Sequence, residues 1–130
     1  PTMHGALVNE LTHFANENNI FITIETEGSH FLPTDYPINL LSISPKFSNS
    51  VPVLGVATPQ GTITDEKMIM KHNRLRCNWE AIKKSIDYHS DFHLKPVWDG
   101  EDQKALKEIM DAINALEISP DKVWFMPAGD

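Results

Sequence analysis

Four short polar groups stand directly behind apolar runs, and their residue types suit ligand binding. Glu25-Thr26-Glu27-Gly28-Ser29-His30 follows Ile20–Ile24, Ser44-Pro45-Lys46 follows Ile38–Ile43, Lys95-Pro96 follows Phe92–Leu94, and Met126-Pro127-Ala128-Gly129 follows Val123–Phe125. A carboxylate such as Glu25, inside an apolar run, must be hydrogen-bonded, paired or placed at the solvated lip of a pocket. Lys46 is a point cation that can hold a carboxylate, although a lysine after a proline is also an ordinary surface residue. The plainer account of all four groups is that strands end in turn residues and loops are polar. The remaining reactive side chains suggest less. His89 and His93 are four apart, but a helix end and a strand start are expected between them, so they do not share a helical face. His4 and His13 share one poorly, and HExxH and CxxC patterns are absent. No metal-ligand set is expected from this chain. Cys77, close to Arg74 and Arg76, has a setting that lowers a thiol pKa, but nothing supports a triad around it and it reads as a half-buried structural thiol. There is no glycine-rich phosphate loop.

The elements that must position these groups follow from periodicity. A helix is expected over residues 3–18, with Ala6, Leu7, Leu11, Phe14 and Ala15 on its core face. Residues 20–26 have the near-continuous β-branched and apolar composition of a strand buried on both faces, as in a parallel sheet. A second strand spans residues 38–44 and stops at Pro45. Residues 47–64, with Pro52, Gly55, Pro59 and Gly61, read as an irregular excursion. Thr64 and Asp65 are candidate caps for a short helix over residues 66–72, and Asn78 caps the next, with Trp79, Ile82 and Ile86 on one face. A strand at 92–95 ends at Pro96. Asp99 or Gly100 then opens the clearest helix, with Leu106, Ile109, Met110, Ile113 and Leu116 on its apolar stripe. Ser119-Pro120-Asp121 is a turn before a last strand at 123–126, broken by Pro127. The order α–β–β–(α)α–β–α–β implies an α/β fold with a parallel sheet of about four strands. In such sheets ligands bind beyond the C-terminal strand ends, where the four polar groups lie.

Size and charge narrow the classes. The chain has 130 residues, net charge −7, 41% hydrophobic and 22% charged residues. This is one domain, residues 1–130, of globular composition. The acidic balance disfavours nucleic acid as a partner, no apolar run reaches a membrane span, no signal peptide is evident, and a cytoplasmic location is expected. The single cysteine excludes an internal disulfide and cannot anchor an iron–sulfur cluster.

In order, these motifs resemble a known family. Ile24-Glu25-Thr26-Glu27-Gly28-Ser29 resembles the "IETNGT" strand end of the 7-carboxy-7-deazaguanine synthases, which are radical S-adenosylmethionine (SAM) enzymes. Ser44-Pro45-Lys46 resembles that family's "SPK", Leu94-Lys95 its "LK", and Phe125-Met126-Pro127-Ala128-Gly129 its "LMPEG" loop. Glu27 stands where the family often has Asn, Ala128 where Glu is common, and residues 47–77 have no counterpart. The resemblance implies a partial (β/α) barrel fragment. Pro1 would close the family's "GGEP" motif, and the CxxxCxxC cluster loop would lie upstream.

For the parent enzyme the resemblance implies a 4Fe–4S cluster that reduces SAM to a 5′-deoxyadenosyl radical. It also implies hydrogen abstraction from the pterin-like substrate 6-carboxytetrahydropterin, ring contraction towards queuosine, and assistance by Mg2+. It assigns Ser44, Pro45 and Lys46 to the ribose and methionine end of SAM, and Met126, Pro127, Ala128 and Gly129 to its adenine side. Glu25, Thr26 and His30 would lie near SAM or substrate. The chain alone is expected to be inactive, to hold no cluster and no stably bound cofactor, and to bind SAM weakly at best. A glycyl-radical activating enzyme and a non-catalytic interaction domain, self-associating through open sheet edges, stay open as alternatives.

Overall fold

The computed structural model describes residues 4–58, 61–76 and 78–128. Pro1, Pro59, Cys77 and Gly129, each named above, lie outside them. In chain order the elements are α1 (Gly5–Glu17), β1 (Thr23–Thr26), β2 (Leu40–Ile43), β3 (Ala57–Thr58), β4 (Gly61–Thr62), α2 (Glu66–Leu75), α3 (Trp79–Tyr88), β5 (Phe92–Leu94), β6 (Val97–Trp98), α4 (Gln103–Ala115) and β7 (Met126–Pro127), with 3-10 turns at Ser48–Ser50 and Pro120–Lys122. The protein is a mixed α/β structure with parallel strands and, among the described residues, no closed barrel. No described helix is long and apolar enough to cross a membrane.

The strands β1, β2 and β5 pair in that order, all parallel, with Glu25 opposite Ser42 and Ser42 opposite His93. A fourth parallel segment completes the row. Leu94 bridges Val123, β6 pairs with β7, and the amides of Trp124, Met126 and Ala128 donate to the carbonyls of Leu94, Pro96 and Trp98. β5 ends before Pro96, as expected, and the separate strand β6 follows, whereas Pro127 lies within β7 instead of breaking it. Pro96 has no N–H to give this ladder, so the pairing divides into a bridge and a separate short pair instead of stopping. Pro127 lies at the outer edge, where no ladder donor is needed.

Alternation sends Ile24, Leu41, Ile43 and Leu94 to one face. There they pack with Val8, Ile82, Ile109 and Ile113 from α1, α3 and α4 in a single core. At roughly 25 cal/mol per Å² of apolar surface buried, this face is the main source of stability. Between β1 and β2 the chain forms no helix. Residues 27–39 run as a strap on the helical side, tied by Asn9 and Asn16 of α1 to Asp35 and Pro37 and by the Tyr88 hydroxyl to the Thr34 carbonyl.

Several expectations need correction. β1 is not buried on both faces: Ile24 is buried, whereas Thr23 and Glu25 are exposed and Phe21 is 70% exposed. It is an edge strand with one face uncovered, which composition alone does not distinguish from a central one. On α1 the inward residues are Val8, Thr12 and Ala15, while Leu7, Leu11 and Phe14 are more than half exposed. Small side chains allow the close approach, and the larger apolar stripe lies round the helix from it. Asp65, through its bond from the Lys67 amide, caps α2, which runs to Leu75. Asp102 caps α4 through the Ala105 amide, and Asp99 instead accepts from the amides of Glu101 and Asp102 in a turn. The Asn78 cap forms as expected, accepting from the Ala81 amide. The excursion at 47–64 contains a small antiparallel hairpin of β3 and β4.

Candidate functional site

The strand ends are clamped together by backbone. The Ser44 amide donates to the Thr26 carbonyl at 2.8 Å, and the Lys95 amide donates to the Ile43 carbonyl at 2.6 Å. Just beyond β1, Gly28 has φ +79°, and a Cβ there would lie 2.6 Å from the Ile82 side chain. The chain must turn left-handed against α3 at this point, which only glycine does without strain. The Ser29 carbonyl accepts from the Asn78 side chain at 3.0 Å, so the residue that caps α3 also fixes the turn.

These constraints sort the strand-end residues into two places. The first is the sheet face that no described helix covers. The aligned residues Glu25, Ser42 and His93 lie side by side on it, with Lys95 and Trp124 next along. Lys95 Nζ reaches across β2 to Glu25 Oε1 at 3.0 Å, and the His93 ring lies 5.3 Å from that of Trp124. Ser42 Oγ is buried and has no hydrogen-bond partner among the described groups. A buried hydroxyl without a partner costs about 1–3 kcal/mol, so such groups in native proteins call for an explanation.

The second place is a cleft of about 230 Å³ beyond the ends of β1 and β2, lined by Glu27, Lys46, Met68, Lys71, His72 and Arg76. Ser29 Oγ donates to Glu27 Oε1 at 3.0 Å. Arg76 Nη1 pairs with Glu108 Oε1 at 2.8 Å, and the Ser48 amide donates to Glu108 Oε2. Burial opposes the Glu108 charge, but the bonds from Ser48 and Arg76 outweigh it and lower its pKa.

Among the residues singled out in sequence, Glu27 and Lys46 meet in the cleft, whereas Glu25 pairs with Lys95 on the open face. The Thr26 side chain lies on the helical side and accepts from the Gly28 amide at 3.1 Å. His30 is exposed, its Nδ1 2.9 Å from Ser29 Oγ. Pro45 is buried and Ser44 half-buried; Met126, Pro127 and Ala128 are exposed at the same C-terminal edge of the sheet. Ser42, His93 and Trp124, and the α2 residues Lys71 and His72, were not legible as site residues. For Ser42 and His93, the period-2 alternation of residues 40–44 and 92–95 carried the signal.

The arrangement pairs a hydrogen-bonding sheet face with a basic cleft. It suits a flat polar ligand on the face and an anionic group in the cleft. Among the described residues no group of three or more His, Cys, Asp or Glu side chains is placed to hold a metal ion. No family model, curated protein or solved structure matches the chain.

Proposed function

We propose that the chain forms part of a radical SAM enzyme of the 7-carboxy-7-deazaguanine synthase type, contributing about four strands of a partial (β/α) barrel in a cytoplasmic protein. The observation that supports this reading is the sheet itself. Four parallel segments follow one another in sequence order, and the SPK-like and LMPEG-like corners leave it at the same C-terminal edge. The polar face would be the ligand-facing side, as the interior of a barrel is.

SAM fits the donors at that edge. The Ser44 hydroxyl suits ribose oxygens, and the Lys46 ammonium suits the methionine carboxylate. Met126, Pro127, Ala128 and Gly129 would flank the adenine. Bound SAM supplies the radical precursor in this family. On the open face, Glu25 and Lys95 would orient a pterin-like substrate through one acceptor and one donor, with the Trp124 ring as an apolar wall. The residues of this chain do not fit an iron–sulfur cluster, since one cysteine stands where three thiolates are needed. The Mg2+ of the family likewise finds no ligand group among the described residues.

The test is a titration of the chain with SAM, followed by amide chemical shifts. Weak shifts at Ser44, Lys46 and Met126, seen only at high SAM concentration and smaller still in Lys46→Ala, are expected. Shifts confined to α3 and α4, or none at saturating SAM, would refute the reading. Anaerobic reconstitution with iron and sulfide is expected to give no 4Fe–4S spectrum.

One observation favours a second reading, a non-catalytic domain that pairs with another copy of itself. The exposed stripe of Leu7, Leu11 and Phe14 lies on the helix that leads into the edge strand β1, near the exposed Phe21. Sedimentation velocity across a range of concentrations checks it. A monomer throughout would remove this reading.

A further inference from the structure

The cleft roofed by α2 has a charge that the rest of the chain does not share. The chain carries −7 overall, yet residues 66–76 place Lys67, Lys71, Arg74 and Arg76 against the single acid Glu66. Lys71, His72 and Arg76 line the cleft together with Lys46, which arrives from the end of β2. The arrangement is held from several sides. Glu108 of α4 fixes the Arg76 guanidinium at 2.8 Å, Ser50 Oγ lies 3.5 Å from His72 Nε2, and Ser29 Oγ holds Glu27 on the opposite wall. One lysine neutralises a monocarboxylate. Lys46, Lys71 and Arg76, the last paired with Glu108, stand against the lining carboxylate Glu27 and leave the cleft net positive, which suits an anionic group with several acceptor oxygens.

We infer that this cleft binds the phosphate group of a small phosphorylated molecule. Its oxygens would lie among Lys46, Lys71 and His72, with the anchored Arg76 at the rim, and the Glu27 carboxylate would accept from a neighbouring hydroxyl of the ligand. At about 230 Å³ the cleft is smaller than the roughly 300–1,000 Å³ of sites that enclose a whole drug-sized ligand, so it takes one end of the molecule. The inference does not rest on the SAM reading. Only Lys46 is common to both, and Lys71 and His72 belong to a segment without a counterpart in the resemblance.

The test uses the full chain and three probes: inorganic phosphate, methyl phosphate and acetate, each titrated at constant ionic strength and followed by amide shifts. Phosphate or methyl phosphate is expected to give saturable shifts at Lys46, Lys71 and His72, and acetate much weaker ones. Affinity for phosphate is expected to fall roughly fivefold to tenfold in Lys71→Ala and to stay unchanged in Lys83→Ala, on the outer side of α3. Because Lys71 is exposed, the fold is expected to survive its replacement, and Lys71→Glu gives a second variant that should abolish binding. Equal affinity for acetate and phosphate, or phosphate binding that Lys71→Ala and Lys71→Glu leave unchanged, would overturn the inference. Binding of methyl phosphate as tight as that of phosphate supports the inference, and binding of the free ion with loss of methyl phosphate binding would overturn it. Loss of SAM shifts with retained phosphate binding would remove the proposed function and leave this site standing.

Discussion

The two faces of the sheet are built from the same strands, residue by residue, and do opposite work. On one, Ile24, Leu41, Ile43 and Leu94 disappear beneath three helices. On the other, Glu25, Ser42, His93, Lys95 and Trp124 form a row that no described helix covers. The first face concentrates apolar burial and so determines whether the chain folds. The second contributes little to folding, since exposed ion pairs are worth only about 0–1 kcal/mol, and it is free to carry chemistry. Adjacent residues in one strand can therefore differ severalfold in what their replacement costs.

Ile82→Ala tests this most severely. Ile82 is fully buried where α3 meets the sheet, and its truncation is expected to cost about 2–5 kcal/mol in urea unfolding. A cost below 1 kcal/mol would mean that the helical face is not the main source of stability. Gly28→Ala comes next, at about 1–3 kcal/mol, because the new methyl meets Ile82 at 2.6 Å in a left-handed backbone. A thermal melt of this variant indistinguishable from that of the parent would show that α3 can yield there.

His89 extends the comparison to pH. Burial at the end of α3 lowers its pKa from 6.5, against an opposing bond to the Leu32 carbonyl. The folded chain then holds this proton less tightly than the unfolded chain. The contribution of His89 is complete above pH 6.5 and falls as the pH drops below it. The urea midpoint should decrease between pH 7.5 and 5.5, and less so in His89→Gln. An equal decrease in both proteins would place the effect elsewhere. The smallest changes are expected on the open face. Ser42→Ala removes a buried hydroxyl that has no partner among the described groups and should raise stability by about 1 kcal/mol, the low end of its desolvation cost. A large loss would show that the hydroxyl has a bonded role in the folded chain.

How much of this was readable beforehand differs by region. The helices α3 and α4 and the parallel strands follow from periodicity and capping, because Asn78 and the 3.6-residue stripe of Ile109 and Ile113 act locally. The cap of α4 was misplaced by three residues, since Asp99 and Asp102 both suit the position and only the turn at Glu101 decides between them. The orientation of α1 could not be read from its largest side chains. Which stripe faces the sheet depends on how closely Val8, Thr12 and Ala15 let the helix approach. The strand-end groups were visible because each breaks an apolar run. The pairing of Glu25 with Lys95 depends on which strands become neighbours, 70 residues apart in the chain, and local pattern carries no such information. The contribution of α2 to the cleft was hidden for the same reason.

The ladder between residues 94–98 and 123–128 lacks one rung at Pro96 and, among the described residues, has no neighbour on its far side. The terminal strand is thus held by two clasps, one at Trp124 and one at Met126 and Ala128. The outer clasp can open while the inner one stays shut, so deuterium should enter at Met126 and Ala128 well before it reaches Leu41 or Ile43, in the middle of the sheet. The corner richest in site-like residues would then also be the first part of the sheet to come loose, a latch rather than a wall.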